Sequence, residues 1–514
     1  MLDLAQAIPG FAGFFFAPGT DRIVLSMTEA GAAHFQTAQE AVLATLATDV
    51  TSSPLGVMAA FSEFDERVVD YSFLELAQLR ARLRPYLPSV PGVTSLEVDE
   101  ESNRIRVGLT DFSAADSVES LATALAVPIA MMSFYETPAV QVSAVLGAKS
   151  YTSSANGSTL RSRISVPDSS LRAGYQIQAV GGGYCTLGFT AITFDGQPAA
   201  VSNSHCSSTA FSLDNAWSGQ PTNSYHFGWE IVDPDKKWCF GLTPPFKIGP
   251  IPIPIPLVPH PCRDADAALM RVDTAKAAIA LGEIARTIDK SNCDDCRMSL
   301  DIDEDNPTIQ ITSIQPYNVA NEILHKIGRT TGWTFGAVEQ TCVDWFSTGG
   351  MVIKCSDVVD YSNDPGDSGS PVFEYDDDRG TAQLRGIHWG WIAFPWHDGV
   401  MSDLGQIVDD LGAMWVLDPG PPSIYIDGPT EVPEETECRW ESDARGMYPF
   451  TYVWSGVLVG GDSYVTGIVW ESGWLKVEVT DLLDRTAQDS IFVTVIEDDG
   501  DGQQPVMPEG CDQR

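Results

Sequence analysis

One short segment of the chain has residue types suited to nucleophilic chemistry: the turn Gly366–Pro371, with the sequence GDSGSP. A serine in a sharp, glycine-flanked turn lies between backbone amides that can bind an oxyanion. Five fixed positions match by chance in about one sequence in a thousand of this length. A surface turn rich in Gly, Asp and Ser is the competing interpretation. We predict that Ser368 is a nucleophile.

Ser368 needs a base to accept its proton, and His205 has the most constrained context of the seven histidines. It follows the apolar run Ala199–Val201 and a small-residue turn. Cys206 comes next, and Cys185 upstream is a potential disulfide partner that would hold the imidazole in place. A lone histidine is more often a packed one, but the cysteines and the downstream turn favour His205 as the general base.

The base needs a carboxylate that accepts its Nδ1 proton away from water, and Asp266 fits this role. Asp266 opens the apolar, strand-length run Asp266–Val272. Asp264 is the alternative, but it lies next to Arg263 and is more easily pictured in solvent. We predict that Asp266 orients His205.

With His205, Asp266 and Ser368 in this order, the chain resembles the chymotrypsin family, whereas subtilisins and α/β-hydrolases use other orders. Over about residues 173–418 it is similar to the bacterial streptogrisin and α-lytic branch. The resemblance implies an all-β protease domain of two six-stranded barrels. It rests on five separated motifs: Cys185–Phe189 (CTLGF), Ser204–Cys206 (SHC), Cys262–Leu269 (CRDADAAL), Gly328–Thr334 (GRTTGWT) and Gly386–Gly390 (GIHWG).

The resemblance implies a secreted serine endopeptidase that works through an acyl-enzyme, needs no cofactor or metal, and acts on proteins or peptides as a monomer. The amides of Gly366 and Ser368 would form the oxyanion hole. The substrate-binding residues would be Ser362 at the pocket base and His388, Trp389 and Gly390 on the strand beside it. No acidic residue stands at the pocket base, so a large apolar P1 side chain is expected.

Two departures from the family pattern are noted. The family usually has Thr-Ala before Gly-His-Cys or Ala-His-Cys, whereas Asn203 and Ser204 precede the histidine here. His388 stands where animal members usually have a serine. Neither removes a catalytic group. The rival functions are a catalytically silent, protease-like binding or adhesion protein, and an esterase on the same fold.

Ten cysteines indicate an oxidising, extracellular setting. The pairs Cys185 with Cys206, Cys239 with Cys262, and Cys342 with Cys355 are compatible with the family's hairpin disulfides. Cys293 and Cys296 form a CxxC without further zinc ligands nearby, so a local disulfide is favoured over a metal or redox site. Cys438 and Cys511 remain and could pair. Residues 1–20 make a poor secretory signal, so the signal is expected to be missing from this sequence.

The chain is about twice as long as a two-barrel protease needs, so further domains are expected. Residues 1–147 carry hydrophobic alternation around the turn at 101–103, a helix start at Asp116 and a strand-like run at 128–135. This β-β-α-β order resembles the α+β pro-domain of α-lytic relatives, which assists folding and occupies the active site until it is cleaved. An independent adaptor domain is the alternative. Residues 148–172 read as a linker with the processing site.

Residues 423–497 contain short alternating strands, including YPFTYVW at 448–454, and predict a β-sandwich. It resembles bacterial immunoglobulin-like or PKD modules, and a plain spacer is favoured over a polysaccharide- or protein-binding module. The acidic tail, 498–514, is a near miss for an EF-hand loop because Pro508 stands at the bidentate position. Proline-dense residues 244–261 favour an extended polyproline II rod.

The net charge of −40 argues against nucleic acid and anionic membranes as partners. No run of eighteen apolar residues indicates a membrane span. Such a charge also makes the compact state repel itself, which suggests a saline or calcium-containing habitat.

Overall fold

The computed structural model describes residues 1–20, 22–47, 64–142, 164–165, 167, 170–239, 247–248, 251–252, 260–293, 296–346, 351–392, 397–496, 508 and 510–512. The chain divides into two compact units. The first comprises residues 1–191 and 198–416, and the second comprises 192–197 and 417–514. The described residues are mostly β, and none of their helices is long and apolar enough to cross a membrane.

The first unit begins with strands that alternate with helices. The strands are β1 (Phe11–Phe16), β2 (Ile23–Thr28), β3 (Phe64–Val69), β4 (Val93–Asp99), β5 (Arg104–Leu109), β6 (Met132–Glu136) and β7 (Gln141–Val142). The helices are α1 (Leu2–Ala7), α2 (Phe35–Ala47), α3 (Phe73–Leu83) and α4 (Ala115–Ala124). The helices and strands β1 to β6 contribute to one core of apolar side chains.

Helix α3 shows how the sequence determines this region. Ser72 accepts a hydrogen bond from the Glu75 amide, and the Glu75 carboxylate accepts one from the Ser72 amide, so a capping box starts the helix. Its buried residues recur at helical spacing: Phe73, Leu76, Arg80 and Leu83. The helix therefore turns one face, including a buried arginine, towards the interior.

The hairpin expected around residues 101–103 is formed by β4 and β5, which pair antiparallel. The Asp99 carboxylate accepts hydrogen bonds from the amides of Glu101 and Ser102, and Asn103 takes a positive φ of 55°, so the turn is fixed locally. Strand β6 then runs parallel to β5, after α4. The β-β-α-β order is therefore present.

The rest of the first unit contains two large sheets. The strands are β8 (Ser170–Ala173), β9 (Gln176–Ala179), β10 (Tyr184–Thr186), β11 (Phe189–Thr193), β12 (Pro198–Ser202), β13 (Trp217–Gly219), β14 (His226–Val232), β15 (Lys237–Trp238), β16 (Lys247–Ile248), β17 (Ile251–Pro252), β18 (Pro261–Arg263), β19 (Ala268–Val272), β20 (Ala278–Ala285), β21 (Lys290–Ser291), β22 (Thr308–Ile314), β23 (Ile323–Gly328), β24 (Gly332–Phe346), β25 (Val352–Val359), β26 (Pro371–Asp376), β27 (Thr381–Trp391), β28 (Gly399–Asp403) and β29 (Met414–Trp415). Helix α5 (Leu404–Leu411) follows β28.

The first of these sheets has the strand order β10-β9-β13-β14-β19-β12-β11-β29. The second contains β23 to β28 and continues through β24 into β4, β5 and β6. At the proline-dense insertion, β16 and β17 pair antiparallel instead of forming the expected extended rod; the other residues of 244–259 lie outside the described part of the chain.

The amino-terminal region joins the second sheet through β4, which pairs antiparallel with β24, Leu96 opposite Asp344. Asp344 is fully buried and accepts from two arginines of the amino-terminal region, Arg80 at 3.0 Å and Arg84 at 2.5 Å. Burial would raise the pKa of Asp344, but the two guanidinium groups hold that pKa below its ordinary value. This contact combines a β-ladder with a buried ion pair.

The second unit is made of two four-stranded sheets. Its strands are β30 (Ser423–Asp427), β31 (Glu431–Pro433), β32 (Glu437–Arg445), β33 (Thr451–Gly456), β34 (Tyr464–Ile468), β35 (Gly473–Thr480), β36 (Thr486–Ile496) and β37 (Cys511–Asp512). Trp440 of one sheet and Trp454 of the other lie in a common core. Most of the 498–514 tail lies outside the described residues.

Five disulfides are formed. They join Cys185 to Cys206, Cys239 to Cys262, Cys293 to Cys296, Cys342 to Cys355, and Cys438 to Cys511. The linker predicted at 148–172 falls mostly outside the described residues.

Replacing Glu97 with glutamine should change how stability depends on pH. Glu97 is buried, and burial outweighs the attraction of Arg106 at 3.5 Å and raises the pKa of Glu97 to about 8. A carboxyl with a raised pKa favours folding below its ordinary pKa of 4.5, and that contribution is lost as pH rises through about 8. Glu97→Gln should therefore melt several degrees above the wild type at about pH 9, by calorimetry, but not at about pH 4. The exposed Glu101→Gln is the control, and melting curves that stay parallel for Glu97→Gln would contradict the prediction.

Candidate active site

His205 lies on a single 3₁₀ turn, Ser204–Cys206, directly after β12. The disulfide between Cys206 and Cys185 fastens this turn to β10. His205 is 5% exposed, and its Nε2 has no hydrogen-bond partner among the described protein groups. The imidazole is therefore fixed, with one ring nitrogen left for another group.

Asp266 meets the other side of the imidazole. Its Oδ2 lies 2.6 Å from His205 Nδ1, and its Oδ1 accepts from the His205 amide at 3.2 Å. Asp266 is completely buried and precedes β19, which pairs with β12. Asp264, the alternative, instead forms ion pairs with Lys237 and Lys354. The geometry thus brings Asp266 and not Asp264 to the histidine.

Ser368 lies in a turn whose shape depends on two glycines. Gly366 and Gly369 have backbone φ angles of 103° and 86°, which residues other than glycine rarely adopt. A Cβ on Gly369 would lie 2.2 Å from both Ser202 Oγ and the Thr186 carbonyl oxygen. The turn can therefore pack against the strands that lead to His205 only with glycine at 369.

The turn and the histidine are linked by hydrogen bonds through β10. The Thr186 amide donates to the Ser368 carbonyl at 2.8 Å, and Ser202 Oγ donates to the Thr186 carbonyl at 2.8 Å. Ser202 is three residues before His205. Ser368 is fully buried, and its hydroxyl, like His205 Nε2, has no partner among the described groups. Both unpartnered atoms thus belong to one packed region.

Asp367, between the two glycines, holds the turn in shape. Its carboxylate accepts from the amides of Thr330 and Thr331 and from Lys326 Nζ at 3.1 Å. Both Asp367 and Lys326 are fully buried. Burial would raise the pKa of Asp367, but Lys326 and these hydrogen bonds hold that pKa below its ordinary value.

Two amides of the turn are available for an oxyanion. Among the described residues, the amide groups of Gly366 and Ser368 donate no hydrogen bond, whereas those of Asp367, Gly369 and Ser370 all do. Free, preorganised N–H groups beside a nucleophile are the donors that stabilise a developing oxyanion. Gly366 and Ser368 are the two residues whose amides the sequence analysis assigned to an oxyanion hole.

The predicted substrate strand is β27, which carries His388, Trp389 and Gly390. The His388 amide donates to the Ser370 carbonyl and its carbonyl accepts from the Gly369 amide, so its backbone is already used by the turn. Its ring meets the Tyr361 hydroxyl at 3.3 Å, and burial lowers the pKa of His388 to about 3, so the ring is neutral. Trp389 is buried and donates to Ser356.

Gly390 lies where β27 is already paired with another strand of the chain. β7 pairs antiparallel with it, Val142 opposite Gly390 and Gln141 opposite Trp391. Trp391 was not among the residues predicted from sequence. A Cβ on Gly390 would lie 2.9 Å from the Val140 side chain, so glycine permits this close approach.

Ser362, predicted at the pocket base, is buried and donates to the Cys296 carbonyl at 2.8 Å. The neighbouring acid, Asp364, is paired with Arg297. The sulfur atoms of Cys185 and Cys206 and a ring nitrogen of His205 lie within 4.8 Å of one another, but the two cysteines form a disulfide and so offer no thiolate to a metal.

Sequence reasoning missed three buried groups that support the site: Lys326, Tyr361 and Arg263. Lys326 lies two residues before the GRTTG motif, in a strand whose remaining residues are apolar or glycine apart from His325, and a lysine in such a strand is the one signal that could have found it.

No family model matches this chain, and no curated protein matches it. Solved structures of serine proteases match part of it. Nocardiopsis protease has a TM-score of 0.32 and 16% identity, and the match covers 48% of this chain and 99% of that one. Thermobifida fusca protease A has a TM-score of 0.32 and 14% identity, and Cellulomonas bogoriensis chymotrypsin has a TM-score of 0.31 and 13% identity. Each of these matches covers 48% of this chain and 98% of the other. About half of the chain is thus similar to chymotrypsin-like serine proteases, at identities that carry no information on activity.

Lys326→Met should destabilise the chain strongly. It leaves the Asp367 carboxylate buried without its counter-charge, which costs about 3–5 kcal/mol. Urea denaturation should show the loss. Lys276→Met is the control because Lys276 and Asp273 form an exposed ion pair at 3.5 Å, worth under about 1 kcal/mol. Equal losses from the two substitutions would show that the buried pair does not hold the turn.

Proposed function

We propose that this protein is a secreted serine endopeptidase, made as a zymogen. The observation that carries the proposal is the constellation around the glycine turn. It combines a buried His205–Asp266 hydrogen bond of 2.6 Å, a buried serine hydroxyl without a partner, and two amides free to donate. A structural turn has no need of these three features together.

In the first half of the reaction, Ser368 Oγ attacks the carbonyl carbon of a peptide bond while His205 Nε2 takes the hydroxyl proton. Asp266 keeps the Nδ1 proton in place and stabilises the imidazolium. The carbonyl oxygen becomes an oxyanion that accepts from the amides of Gly366 and Ser368. His205 then gives its proton to the leaving amine, the C–N bond breaks, and an ester on Ser368 remains.

In the second half, water attacks the Ser368 ester and His205 takes a proton from it. A second oxyanion forms in the same place. When it collapses, the bond to Ser368 Oγ breaks, His205 returns the proton to the serine, and the carboxylic acid leaves. The chain's own residues supply every group that these steps use.

A neutral S1 pocket follows from the charges near its base. Ser362 donates its hydroxyl to a backbone carbonyl, and Asp364 is neutralised by Arg297, so neither offers a charge to a basic side chain. His388 is neutral as well. We therefore propose that large apolar P1 residues are preferred, with Trp389 and Gly390 binding the substrate backbone.

The amino-terminal region, residues 1–147, is proposed to act as an intramolecular inhibitor and folding aid. Its last described strand, β7, lies on β27 where a substrate strand would add, a mode in which main-chain hydrogen bonds supply affinity. The β4–β24 ladder and the Arg80 and Arg84 pairs to Asp344 support the docking. Cleavage within 148–172 would release it.

The remaining proposals concern setting and accessory parts. Five disulfides are compatible with an extracellular protein. The second unit is proposed to be an immunoglobulin-like or PKD-like spacer, because two sheets enclose the cores of Trp440 and Trp454. We further propose that the enzyme is a monomer.

A fluorophosphonate probe should add once to the secreted protein, on Ser368, after the chain has been shortened from its amino terminus. Intact mass spectrometry before and after labelling reports both events. Ser368→Ala should remove the adduct completely, and Ser370→Ala, in the same turn, should keep it. A processed chain that stays unlabelled would favour the silent binding protein. A peptide library then distinguishes an endopeptidase from an esterase.

Arg84→Ala should speed the release of the amino-terminal region. It removes one of the two guanidinium groups that pair with the buried Asp344. After cleavage in the linker, we expect activity against a chromogenic substrate to appear at least several-fold faster than in the wild type. Arg82→Ala changes an exposed residue on the same helix and should leave the rate unchanged. Identical rates for all three proteins would argue against inhibition by this docking surface.

A further inference from the structure

Arg263 is a fully buried guanidinium that belongs to neither the catalytic residues nor the oxyanion turn. It ends β18, next to the disulfide of Cys262. Its three nitrogens all donate: Nη1 to Asp233 at 2.7 Å, Nη2 to the Ala267 carbonyl at 2.9 Å, and Nε to Asp410 at 3.0 Å. A buried charge is costly, so a residue held this tightly needs an explanation.

One arm of Arg263 leads to the histidine. Asp233, its partner on Nη1, also accepts from Ser204 Oγ at 2.7 Å. Ser204 directly precedes His205 in the 3₁₀ turn, and its hydroxyl accepts from the Phe211 amide at 2.6 Å. The Arg263–Asp233 pair therefore fixes both ends of the loop that begins with the histidine.

The other arms lead to Asp266. Nη2 binds the carbonyl of Ala267, the residue after Asp266. Asp410, bound by Nε, accepts from the amide of Ala265, the residue before it, at 3.1 Å. Both neighbours of the carboxylate are thus held by Arg263 or by its partner on helix α5.

Only an arginine can make this set of contacts. The guanidinium is planar and presents its donors in a fixed fork, so one side chain can bind in three directions at once. A lysine ammonium at the same place keeps the charge but reaches fewer of the acceptors. A methionine removes the charge and leaves Asp233 and Asp410 buried, with Lys237, 55% exposed, as the remaining cation paired with Asp410 among the described residues.

We propose that Arg263 is a positioning residue that sets the alignment of His205 with Asp266, acting through Asp233 and Ser204 on one side and through Ala267 and Asp410 on the other. The inference rests on the proposed function, because alignment matters only if His205 and Asp266 act together. It is distinct from that function, since Arg263 touches neither the substrate nor the reacting atoms.

The test compares Arg263→Lys with a matched buried arginine, Arg385→Lys. Arg385 is 2% exposed and also makes three polar contacts, to Tyr317, Glu322 and Glu374, none of which leads to His205 or Asp266. Both variants should lose stability. Only Arg263→Lys should lower the rate constant of fluorophosphonate labelling, by at least about tenfold, with kcat falling and KM nearly unchanged for a peptide substrate.

A spectroscopic readout separates positioning from stability. In the processed protein, the proton between His205 Nδ1 and Asp266 should give a far-downfield resonance in the proton NMR spectrum. We expect Arg263→Lys to shift or broaden it and Arg385→Lys to leave it unchanged. Because this resonance needs no turnover, it tests the alignment even if the wild type cleaves nothing.

One milder variant, Ser204→Ala, tests the same link should Arg263→Lys fail to fold. It cuts the connection to Asp233 and should reduce labelling without a large loss of stability. Where Arg263→Lys folds, the Ser204→Ala, Arg263→Lys double variant adds a second test, because two reductions that act through one path should not multiply. Multiplying effects, or wild-type labelling and an unchanged resonance in Arg263→Lys, would overturn the positioning role. An unlabelled wild type would instead overturn the proposed function.

Discussion

The candidate site depends on one buried carboxylate, Asp367, and on the lysine that neutralises it. An ionised carboxylate is stable in a protein interior only with a counter-charge and hydrogen bonds, and Asp367 has Lys326 and the amides of the threonine turn. These bonds bring the segment 328–331 against the glycine turn. With the turn fixed, the amides of Gly366 and Ser368 donate no hydrogen bond among the described residues, and the Ser368 carbonyl accepts from Thr186 of β10, the strand that the Cys185–Cys206 disulfide joins to the His205 turn. The proposed chemistry is a product of this arrangement.

A second buried cation, paired with buried carboxylates, lies at the other half of the site. Arg263, with Asp233 and Asp410, does for His205 and Asp266 what Lys326 does for the serine turn. In each case a buried cation on one strand holds a loop that carries residues of the candidate site. A chain with 70 acidic and only 30 basic residues therefore uses two of its few cations in buried ion pairs beside the candidate site. That use explains why these acids can be buried in so acidic a protein.

Much of this could be anticipated from sequence, because local signals were strong. The hairpin of β4 and β5 follows from alternation around an Asx turn, and the GDSG turn needs its glycines wherever it occurs. The supporting cations could not be found this way. Lys326 is 41 residues from Asp367, and Arg263 is 147 residues from Asp410, so only the folded chain brings them together. The proline-dense insertion misled for a related reason: alternate prolines favour an extended rod, but Lys247 and Ile248 pair antiparallel with Pro252 and Ile251.

The ladder between β4 and β24 gives the proposed cleavage a structural consequence. β24 is a strand of fifteen residues, and β4 covers part of one of its edges. Removal of the amino-terminal region would uncover backbone N–H and C=O groups along that edge, together with an aspartate that has lost both of its arginines. An unpaired strand edge can pair with a strand of another chain. The cleaved form would therefore expose an edge of β24 that is prone to association, whereas β4 covers this edge in the uncleaved chain. The charge of Asp344, no longer paired with Arg80 and Arg84, would then oppose this association, because a charged side chain on an edge strand disfavours pairing with a second chain.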